Sequence, residues 1–468
     1  MLISREGIIA TWMPKIEGRA KTTSIVRALT DDIRDGRLHP GDRLPAMRDL
    51  AYDLGVAVST IGKAYAEGTR KGLLSSEVGR GTFVVPASDV PFAGPPELSN
   101  AVDLAFNTPV IGSPHLKLFA DTLRDIGTNG DVGPLLGYHR PWTGRDRFRD
   151  AGATWLAAQG LRVSGDDIVL VSGAQHASAV ALNCLTEPGD TIITEALMDP
   201  GRKSLMASRQ LVVKGLPIDK HGLIPEHVED ACRQSARVKV LYCMPNHHSP
   251  SLATMPEDRR KAIADIAIRH DVSIVENDVY GPLTESPPPI SSFAPRQSYY
   301  ISSLSKTVAP ALRVGYLAVP PGKAADMIPG LIATAWMVPS ICAEIATQWI
   351  ENGTAQKLIE FQRRELTIRN KIAATAFDGF EFQALPTGMH IWMQMPDAWH
   401  PAAIVTQARQ HDILIAPSEM FAVGRHHPSN AVRLSLGGAV ASHTLLKRGL
   451  ETLASILRDS PENSYLIM

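Results

Sequence analysis

The stretch Ser303-Leu-Ser-Lys306-Thr-Val-Ala-Pro-Ala-Leu-Arg313-Val-Gly-Tyr is the strongest indication of the fold of the larger part of this chain. It sets one lysine between a nearby serine and a nearby arginine. About one strand and one helix upstream lies Glu276-Asn-Asp278-Val-Tyr280, which offers a carboxylate and a phenol. These residue types in this order predict a site built around the amine of Lys306.

This set of side chains suits pyridoxal phosphate. An amine that forms a Schiff base with this cofactor needs a carboxylate that keeps the pyridine nitrogen protonated, so that the ring acts as an electron sink. It also needs a phenol or amide at the ring oxygen, and a cation and a hydroxyl at the phosphate. We assign Lys306 as the amine, Asp278 to the ring nitrogen, Tyr280 to the ring oxygen, and Arg313 and Ser303 to the phosphate.

The segment resembles the Schiff-base region of fold-type I aminotransferases, and two further motifs extend that resemblance. Ser172-Gly-Ala-Gln-His follows a strand and opens a helix, where backbone N–H groups cradle an anion. Gly173, Ala174 and Gln175 are therefore the predicted phosphate loop. Tyr138, in Leu136-Gly-Tyr, is similar to the tyrosine that reaches the phosphate of a neighbouring subunit. The alternative for Tyr138 is an ordinary half-buried tyrosine.

Two segments depart from the family pattern. Met244-Pro-Asn-His-His-Ser-Pro-Ser251 resembles the loop whose asparagine donates to the ring oxygen, and Ser249 stands at that position. Asp199, in Met-Asp-Pro-Gly, stands where the family has an aromatic that stacks on the ring. These two substitutions predict inefficient turnover. Arg433 matches the arginine that binds a substrate carboxylate bidentately, with a surface ion pair as the alternative.

The amino-terminal part has the order of elements of a winged helix-turn-helix. Ile25, Leu29 and Ile33 recur on one helical face. Gly55 ends a short second helix, and Ser59 is the predicted N-cap of the third helix. The predicted elements are helices at 24–35, 46–54 and 59–71, then a hairpin of strands 73–78 and 82–85.

This part resembles the GntR winged helix. The motifs that carry the resemblance are Gly36-Arg-Leu, Pro40-Gly-Asp-Arg-Leu-Pro45, Arg48-Asp-Leu-Ala51, Leu54-Gly-Val56 and Gly79-Arg-Gly-Thr-Phe-Val84. The resemblance implies that DNA is contacted by Arg48, Ser59, Thr60, Arg80 and Thr82, and Lys63 is a further expected contact that partly replaces basic residues of the family. Val58 and Gly62 replace residues that are often basic in the family, which predicts weaker or altered base readout. The alternative is a helical bundle whose hairpin contacts proteins.

Composition and patterning set the domain organisation. The net charge of -1 gives no sign of bulk affinity for nucleic acid or membranes, and the four cysteines are scattered singly, so no metal site is expected. No apolar run or leader suggests membrane insertion or export, so a cytoplasmic location is expected. Short apolar runs alternate with amphipathic helices beyond residue 101, which predicts a largely parallel α/β sheet. We predict a DNA-binding domain at 1–85, a proline-rich linker at 86–100, and an aminotransferase-like domain at 101–468 that ends in a small α+β portion.

Together the two resemblances cover almost the whole chain and identify it as a member of the MocR subfamily of GntR regulators. Membership implies an effector-sensing domain that binds pyridoxal phosphate or an amino compound, a head-to-tail homodimer, and double-stranded DNA with paired half-sites. Two alternatives stay open. One is an aminotransferase with a DNA-binding head, and the other is a regulator whose large domain has lost the cofactor and only dimerises.

Overall fold

A computed structural model divides the chain into two compact units, Met1–Ala101 and Val102–Met468. The residues it describes are 12–14, 21–34, 37–38, 42–70, 73–77, 81–84, 101–138, 142–399, 401–424, 429–438, 440 and 442–458. The predicted linker at 86–100 and the predicted DNA contact Arg80 lie outside these ranges.

The first unit has three helices followed by a two-stranded hairpin, which is the predicted winged helix layout. Its elements are α1 (Lys21–Arg34), α2 (Met47–Asp53), α3 (Val58–Arg70), β1 (Leu74–Glu77) and β2 (Gly81–Val84), the two strands being antiparallel. Ile25 and Leu29 of α1 are fully buried and Ile33 is partly buried, as their helical spacing predicts. The phenol of Tyr65 in α3 donates to Pro45 O at 2.9 Å, which ties α3 to the segment before α2.

The turn between α2 and α3 depends on a glycine. Gly55 has φ +60°, a left-handed conformation that glycine adopts at little cost. The chain then enters α3 directly after Ala57, whose carbonyl accepts from Thr60 N at 2.8 Å. Ser59 therefore lies in the first turn of α3, and the prediction that it caps this helix was wrong.

The second unit alternates strands and helices along most of its length. Its strands are β3 (Val102–Asp103), β4 (Ile168–Val171), β5 (Thr191–Glu195), β6 (Val212–Leu216), β7 (Ile218–Asp219), β8 (Gly222–Leu223), β9 (Val238–Cys243), β10 (Ser273–Asn277), β11 (Ser298–Ser303), β12 (Gly315–Ala318), β13 (Phe382–Gln383), β14 (His390–Gln394), β15 (Ile413–Leu414), β16 (Ala416–Pro417) and β17 (Ala431–Ser435). Its helices are α4 (Ser113–Asn129), α5 (Asp146–Ala157), α6 (Ala174–Leu185), α7 (Pro200–Ser208), α8 (Pro225–Gln234), α9 (Glu257–His270), α10 (Ile328–Ile332), α11 (Ser340–Glu351), α12 (Thr354–Ala376), α13 (Pro401–Gln410) and α14 (His443–Arg458).

A seven-stranded sheet forms the centre of this unit, in the order β4-β12-β11-β10-β9-β5-β6. Strand β12 is antiparallel to β11 and β4, and the other pairs are parallel, so the prediction of a largely parallel sheet is confirmed. Helices cover both faces because the buried side chains alternate. On β4, Ile168 and Leu170 pack with α5 and α11, whereas Val169 and Val171 pack with α6.

A smaller antiparallel sheet, β13-β14-β17-β16, packs against α12, α13 and α14. The chain enters the second unit beside this sheet, because β3 pairs parallel with β15. Among the described residues, no helix is both long and apolar enough to cross a membrane.

Candidate functional site

The predicted site residues gather where parallel strands of the large sheet end. Asp278 follows β10, and the 3-10 helix that contains Lys306 follows β11. The loop 244–251 follows β9, the neighbour of β10. The carboxyl ends of parallel strands meet at one edge of a sheet, which is where ligands bind in open α/β folds. We call this region the Lys306 site; its members are Lys306, Asp278, Tyr280, Arg313 and Arg433.

The amine of Lys306 is partly buried and lies near the positive charges of Arg202, Arg433 and Arg313. Its Nζ donates a hydrogen bond to the backbone carbonyl of Asn107. Burial lowers the pKa of Lys306 to about 8, and the positive charge of Arg202 acts in the same direction, whereas the carboxylate of Asp199 opposes it. A lysine with this pKa is partly neutral near physiological pH, which is the state in which an amine is a nucleophile.

Asp278 is a fully buried carboxylate held by two neutral donors. One oxygen accepts from Asn246 Nδ2 at 2.9 Å and the other from the phenol of Tyr300 at 2.7 Å. Burial raises the pKa of Asp278, and the bonds from Tyr300 and Asn246 lower it in part. The carboxylate is oriented by these bonds and can stabilise a cationic group placed beside it.

The anion-binding end is built by Gly173, α6 and Arg313. Gly173 has φ +80° at the start of α6, and a Cβ there would lie 2.9 Å from Arg313 Nη2. Arg313 donates to Ser172 O at 3.1 Å and contacts Ser305 Oγ at 3.5 Å. A helix N-terminus beside a guanidinium is suited to a phosphate.

The structure uses two of the predicted phosphate residues for other contacts. Ser303 Oγ accepts from Ser305 N and donates to Val314 O, so this hydroxyl caps the 3-10 helix. Gln175 is exposed, and its side chain donates to Gly201 O at 2.9 Å. Ala174 is the first residue of α6, as predicted. The hydroxyl that contacts Arg313 is that of Ser305, which the sequence analysis did not select.

Arg433, on β17, is buried beside the loop 244–251. Its guanidinium donates to Ala105 O at 2.6 Å and to Ser249 Oγ at 3.3 Å, and it stacks over the ring of Phe421 at 4.7 Å. Its Nε is buried and has no hydrogen-bond partner among the described residues. Burial lowers the pKa of Arg433, although Tyr280 and Asp199 act in the opposite direction. The surface alternative for Arg433 is therefore wrong, and Ser249 is one of its partners.

Asp199 has a structural role as well as an electrostatic one. Its carboxylate caps α7 by accepting from Gly201 N at 2.9 Å, and it pairs with Arg202 at 3.1 Å. Burial raises the pKa of Asp199, but Arg202 and the Gly201 N–H outweigh it and leave that pKa below its ordinary value. The charge of Asp199 still reaches Lys306 and Arg433, so it contributes to the field of the site.

Several residues outside the predicted set complete the site. Asn107 Nδ2 donates to Tyr280 OH at 2.9 Å and lies 3.3 Å from His390 Nδ1, and its Oδ1 accepts from Ser435 Oγ at 3.3 Å. Asn246 also accepts from Arg260 at 2.6 Å, so a buried arginine fixes the amide that holds Asp278. The polar loop 244–251 was a usable signal for Asn246. No local pattern marks Asn107.

The adjacent histidines of the loop 244–251 are packed inside the fold. His248 contacts Ser251 Oγ at 2.7 Å and Leu197 O at 3.2 Å, and both His247 and His248 are buried. Burial lowers the pKa of His247 to about 4, so it is neutral at physiological pH. Among the described residues, no group of three or more His, Cys, Asp or Glu is arranged to hold a metal ion.

Tyr138 lies away from these groups within the chain. It is 76% exposed and belongs to an aromatic cluster with Trp142 and Trp336, at ring distances of 6.1 and 6.2 Å. The half-buried alternative is therefore wrong for this residue. Its predicted reach to a neighbouring subunit stays a prediction.

The winged helix presents most of its predicted DNA contacts at the surface. Arg48 on α2, and Ser59 and Lys63 on α3, are exposed, and Thr60 is partly exposed. Thr82 is 7% exposed, so its side chain is not placed for a DNA contact. Arg43, which the sequence analysis did not select, lies against the start of β2, where a Cβ on Gly81 would be 2.7 Å from its Nε.

Comparisons with known proteins agree with both halves of this architecture. Residues 21–84 match the family described as bacterial regulatory proteins, gntR family. The uncharacterised HTH-type transcriptional regulator YdeF of Bacillus subtilis is 30% identical over 97% of this chain and 99% of its own length. The HTH-type transcriptional regulator TauR of Rhodobacter capsulatus is 27% identical over 92% of this chain and 95% of its length.

The large unit has the fold of an aminotransferase. The kynurenine aminotransferase of Pyrococcus horikoshii, solved in complex with PMP, matches with a TM-score of 0.70 at 24% identity, over 77% of this chain and 92% of that one. An archaeal alanine:glyoxylate aminotransferase matches with the same TM-score at 20% identity, over 76% and 91%. With a full-length regulator at 30% identity and this fold, the chain belongs to the MocR subfamily of GntR transcriptional regulators, which join a winged helix to an aminotransferase-like domain.

Proposed function

We propose that this regulator binds pyridoxal phosphate at the Lys306 site, and that the cofactor, or an amino compound anchored at Arg433, controls DNA binding. The observation that carries the proposal is the meeting of three charged groups from separate segments. These are the partly buried amine of Lys306, the buried carboxylate of Asp278, and Arg313, which lies beside the start of α6.

The residues present fit this cofactor. Asp278 accepts from two neutral donors, which leaves its charge available to a protonated ring nitrogen. The orphaned Nε of Arg433 is a buried donor suited to a carboxylate. At the other end, Gly173 leaves room for Arg313, which would have to shift if this residue had a Cβ. The donor and acceptor types therefore match a ring cation flanked by two anionic groups.

Each residue has a chemical role in this proposal. When bound, pyridoxal phosphate supplies an aldehyde that captures amino groups and a ring that withdraws electrons. Lys306 holds the cofactor covalently, and Asp278 keeps the proton on the ring nitrogen. Tyr280 is oriented by Asn107 to donate to the ring oxygen. Arg313 and the N–H groups of Gly173 and Ala174 bind the phosphate.

The partners proposed are double-stranded DNA and a second copy of the chain. A winged helix binds duplex DNA, and a dimer reads paired half-sites. Exposed apolar residues on the large unit support self-association. They include Leu116, Phe119 and Leu123 on α4, together with Leu136 and Trp336 near Tyr138. In a head-to-tail homodimer Tyr138 would serve the phosphate of the partner.

An absorbance spectrum tests the cofactor proposal. The full-length protein with pyridoxal phosphate should show a visible band that persists after gel filtration. Lys306→Ala should lose the band, and Lys323→Ala, a change at an exposed lysine, should keep it. A retained band in Lys306→Ala, or none in the unmodified protein, would contradict the proposal.

A further inference from the structure

The segment Ala105-Phe106-Asn107, which we call the strap, is held by the same side chains that a ligand of the Lys306 site would use. Arg433 donates to Ala105 O at 2.6 Å, and Lys306 donates to Asn107 O. The two carbonyls therefore take N–H donors from the proposed carboxylate anchor and from the proposed cofactor amine. A ligand that draws on those donors competes with the strap.

Backbone hydrogen bonds fix the residues on either side of the strap, Leu104 and Thr108. Residues 105–107 themselves form no backbone–backbone hydrogen bond among the described residues. On one side Leu104 N donates to Leu414 O at 2.8 Å and Leu104 O accepts from Ser435 N at 2.6 Å. On the other side Thr108 O accepts from Gly438 N at 2.7 Å. Between these anchors, the side chain of Phe106 is 65% exposed. Three residues between fixed points can shift without unfolding the surrounding sheet.

The side chain of Asn107 links the strap to both parts of the large unit. It contacts Tyr280 next to β10, His390 on β14 and Ser435 on β17. If the backbone carbonyl of Asn107 moves, the side-chain amide of Asn107 must lose some of these contacts. Asn107 therefore connects Lys306 directly to Tyr280 and to the small sheet.

The strap is also close in sequence to the predicted linker that leads to the DNA-binding unit. The amides of Ala105 and Phe106 both donate to Asp103 Oδ1 at 2.9 Å, and Asp103 belongs to β3, the first strand after the predicted linker. Strap movement therefore acts on the residues that directly continue the linker.

We propose that the strap is the element that senses ligand at the Lys306 site and passes the change to the linker. This inference rests on the proposed function. With pyridoxal phosphate bound, Lys306 would no longer donate to Asn107 O, and with a carboxylate bound, Arg433 would no longer donate to Ala105 O. The β3 segment would then respond. The backbone segment that continues toward the winged helix therefore changes when ligand binds.

Hydrogen exchange of the full-length protein, followed by mass spectrometry, tests the strap. Pyridoxal phosphate should raise exchange at the amides of residues 105–107 by about tenfold, since loss of the carbonyl contacts frees the segment. Strand β9 should be unchanged. Lys306→Ala should raise strap exchange without any addition and show no further response. Phe106→Ala, which keeps both carbonyls and the Asn107 amide, is the matched control and should respond normally.

Asn107→Ala tests the transmission step. At a pyridoxal phosphate concentration that gives it the full visible band, this variant should lose the difference in DNA affinity caused by the cofactor, and Phe106→Ala should keep that difference. A visible band without any change in strap exchange would overturn the inference and leave the proposed function standing. So would an Asn107→Ala variant whose DNA binding responds fully. If no band forms in the unmodified protein, the proposed function falls and the strap falls with it.

Discussion

The surroundings of Lys306 determine the pKa of its amine. Burial and the charge of Arg202 favour its neutral form, and Asp199 limits that effect. Ordinary lysine titrates near 10.4, so an unperturbed residue would be almost fully protonated at neutral pH. With a pKa of about 8, a larger fraction of the Lys306 amine is neutral at neutral pH and can react as a nucleophile.

The first prediction is a pH dependence of cofactor capture. The folded pKa lies below the ordinary value, so the reactive neutral amine is lost as pH falls through about 8. The association rate of pyridoxal phosphate should rise about tenfold per pH unit up to that point and then level off. Stopped-flow absorbance between pH 6 and 9.5 measures it.

A matched variant checks the cause of this titration. Asp199→Asn removes the carboxylate that raises the pKa of Lys306, so the midpoint should move to lower pH. Asp265→Asn changes an exposed carboxylate on α9 and should leave the midpoint in place. A rate that is flat across the range, or a midpoint that moves upward in Asp199→Asn, would contradict the account.

A second prediction concerns Asp278. The substitution Asp278→Asn keeps the shape of the side chain but removes the charge that holds the ring proton. Affinity for pyridoxal phosphate should fall by about 1.5–3 kcal/mol, roughly 10- to 150-fold in Kd. Titration by absorbance measures this loss, and Asp265→Asn is again the control. Equal affinities would exclude Asp278 from the binding of the cofactor.

At the scale of elements, strands were predicted better than contacts between distant segments. Short apolar runs beyond residue 101 predicted strands, and Ile168–Val171 is one of them, because an uninterrupted apolar and β-branched run identifies a buried strand. The antiparallel direction of β12 was not predicted, since periodicity carries no direction. The role of Asn107 was also not predictable, because its partner Tyr280 lies 173 residues away in the chain.

The third prediction belongs to helix α7. Asp199 caps this helix through Gly201 N, so Asp199→Ala should destabilise its first turn by about 1 kcal/mol. Exchange of the first-turn amides should be about fivefold faster. Asn is also a good cap, so Asp199→Asn should show a much smaller change. Identical exchange in Asp199→Ala and the unmodified chain would refute the capping role.

At the level of the whole molecule, we propose that the linker at residues 86–100 joins a DNA-binding unit to a ligand-binding unit. The structure divides the chain into two compact units, Met1–Ala101 and Val102–Met468, and the boundaries of the linker stay a prediction. Ordered motifs revealed this organisation in the sequence, whereas overall charge did not. The first 86 residues hold thirteen Lys and Arg against ten Asp and Glu, which is only a mild basic excess.

The fourth prediction separates the two units. Arg48 is exposed on α2, so Arg48→Ala should weaken binding to a duplex selected from a random library by about 1–3 kcal/mol, if it makes a bidentate contact. The visible band of the cofactor should not change. Arg296→Ala, at an exposed arginine of the large unit, should affect neither property. Unchanged DNA affinity in Arg48→Ala would remove this residue from the proposed interface.

We propose above all that occupancy of the Lys306 site by a ligand controls DNA binding. Fluorescence anisotropy of a labelled selected duplex, titrated with the full-length protein with and without pyridoxal phosphate, tests it most directly. The account predicts different affinities in the two conditions for the unmodified protein, and a single affinity for Lys306→Ala, which should still bind DNA. An unmodified protein whose affinity ignores the cofactor while its visible band is present, or a Lys306→Ala variant that responds in full, would contradict the account.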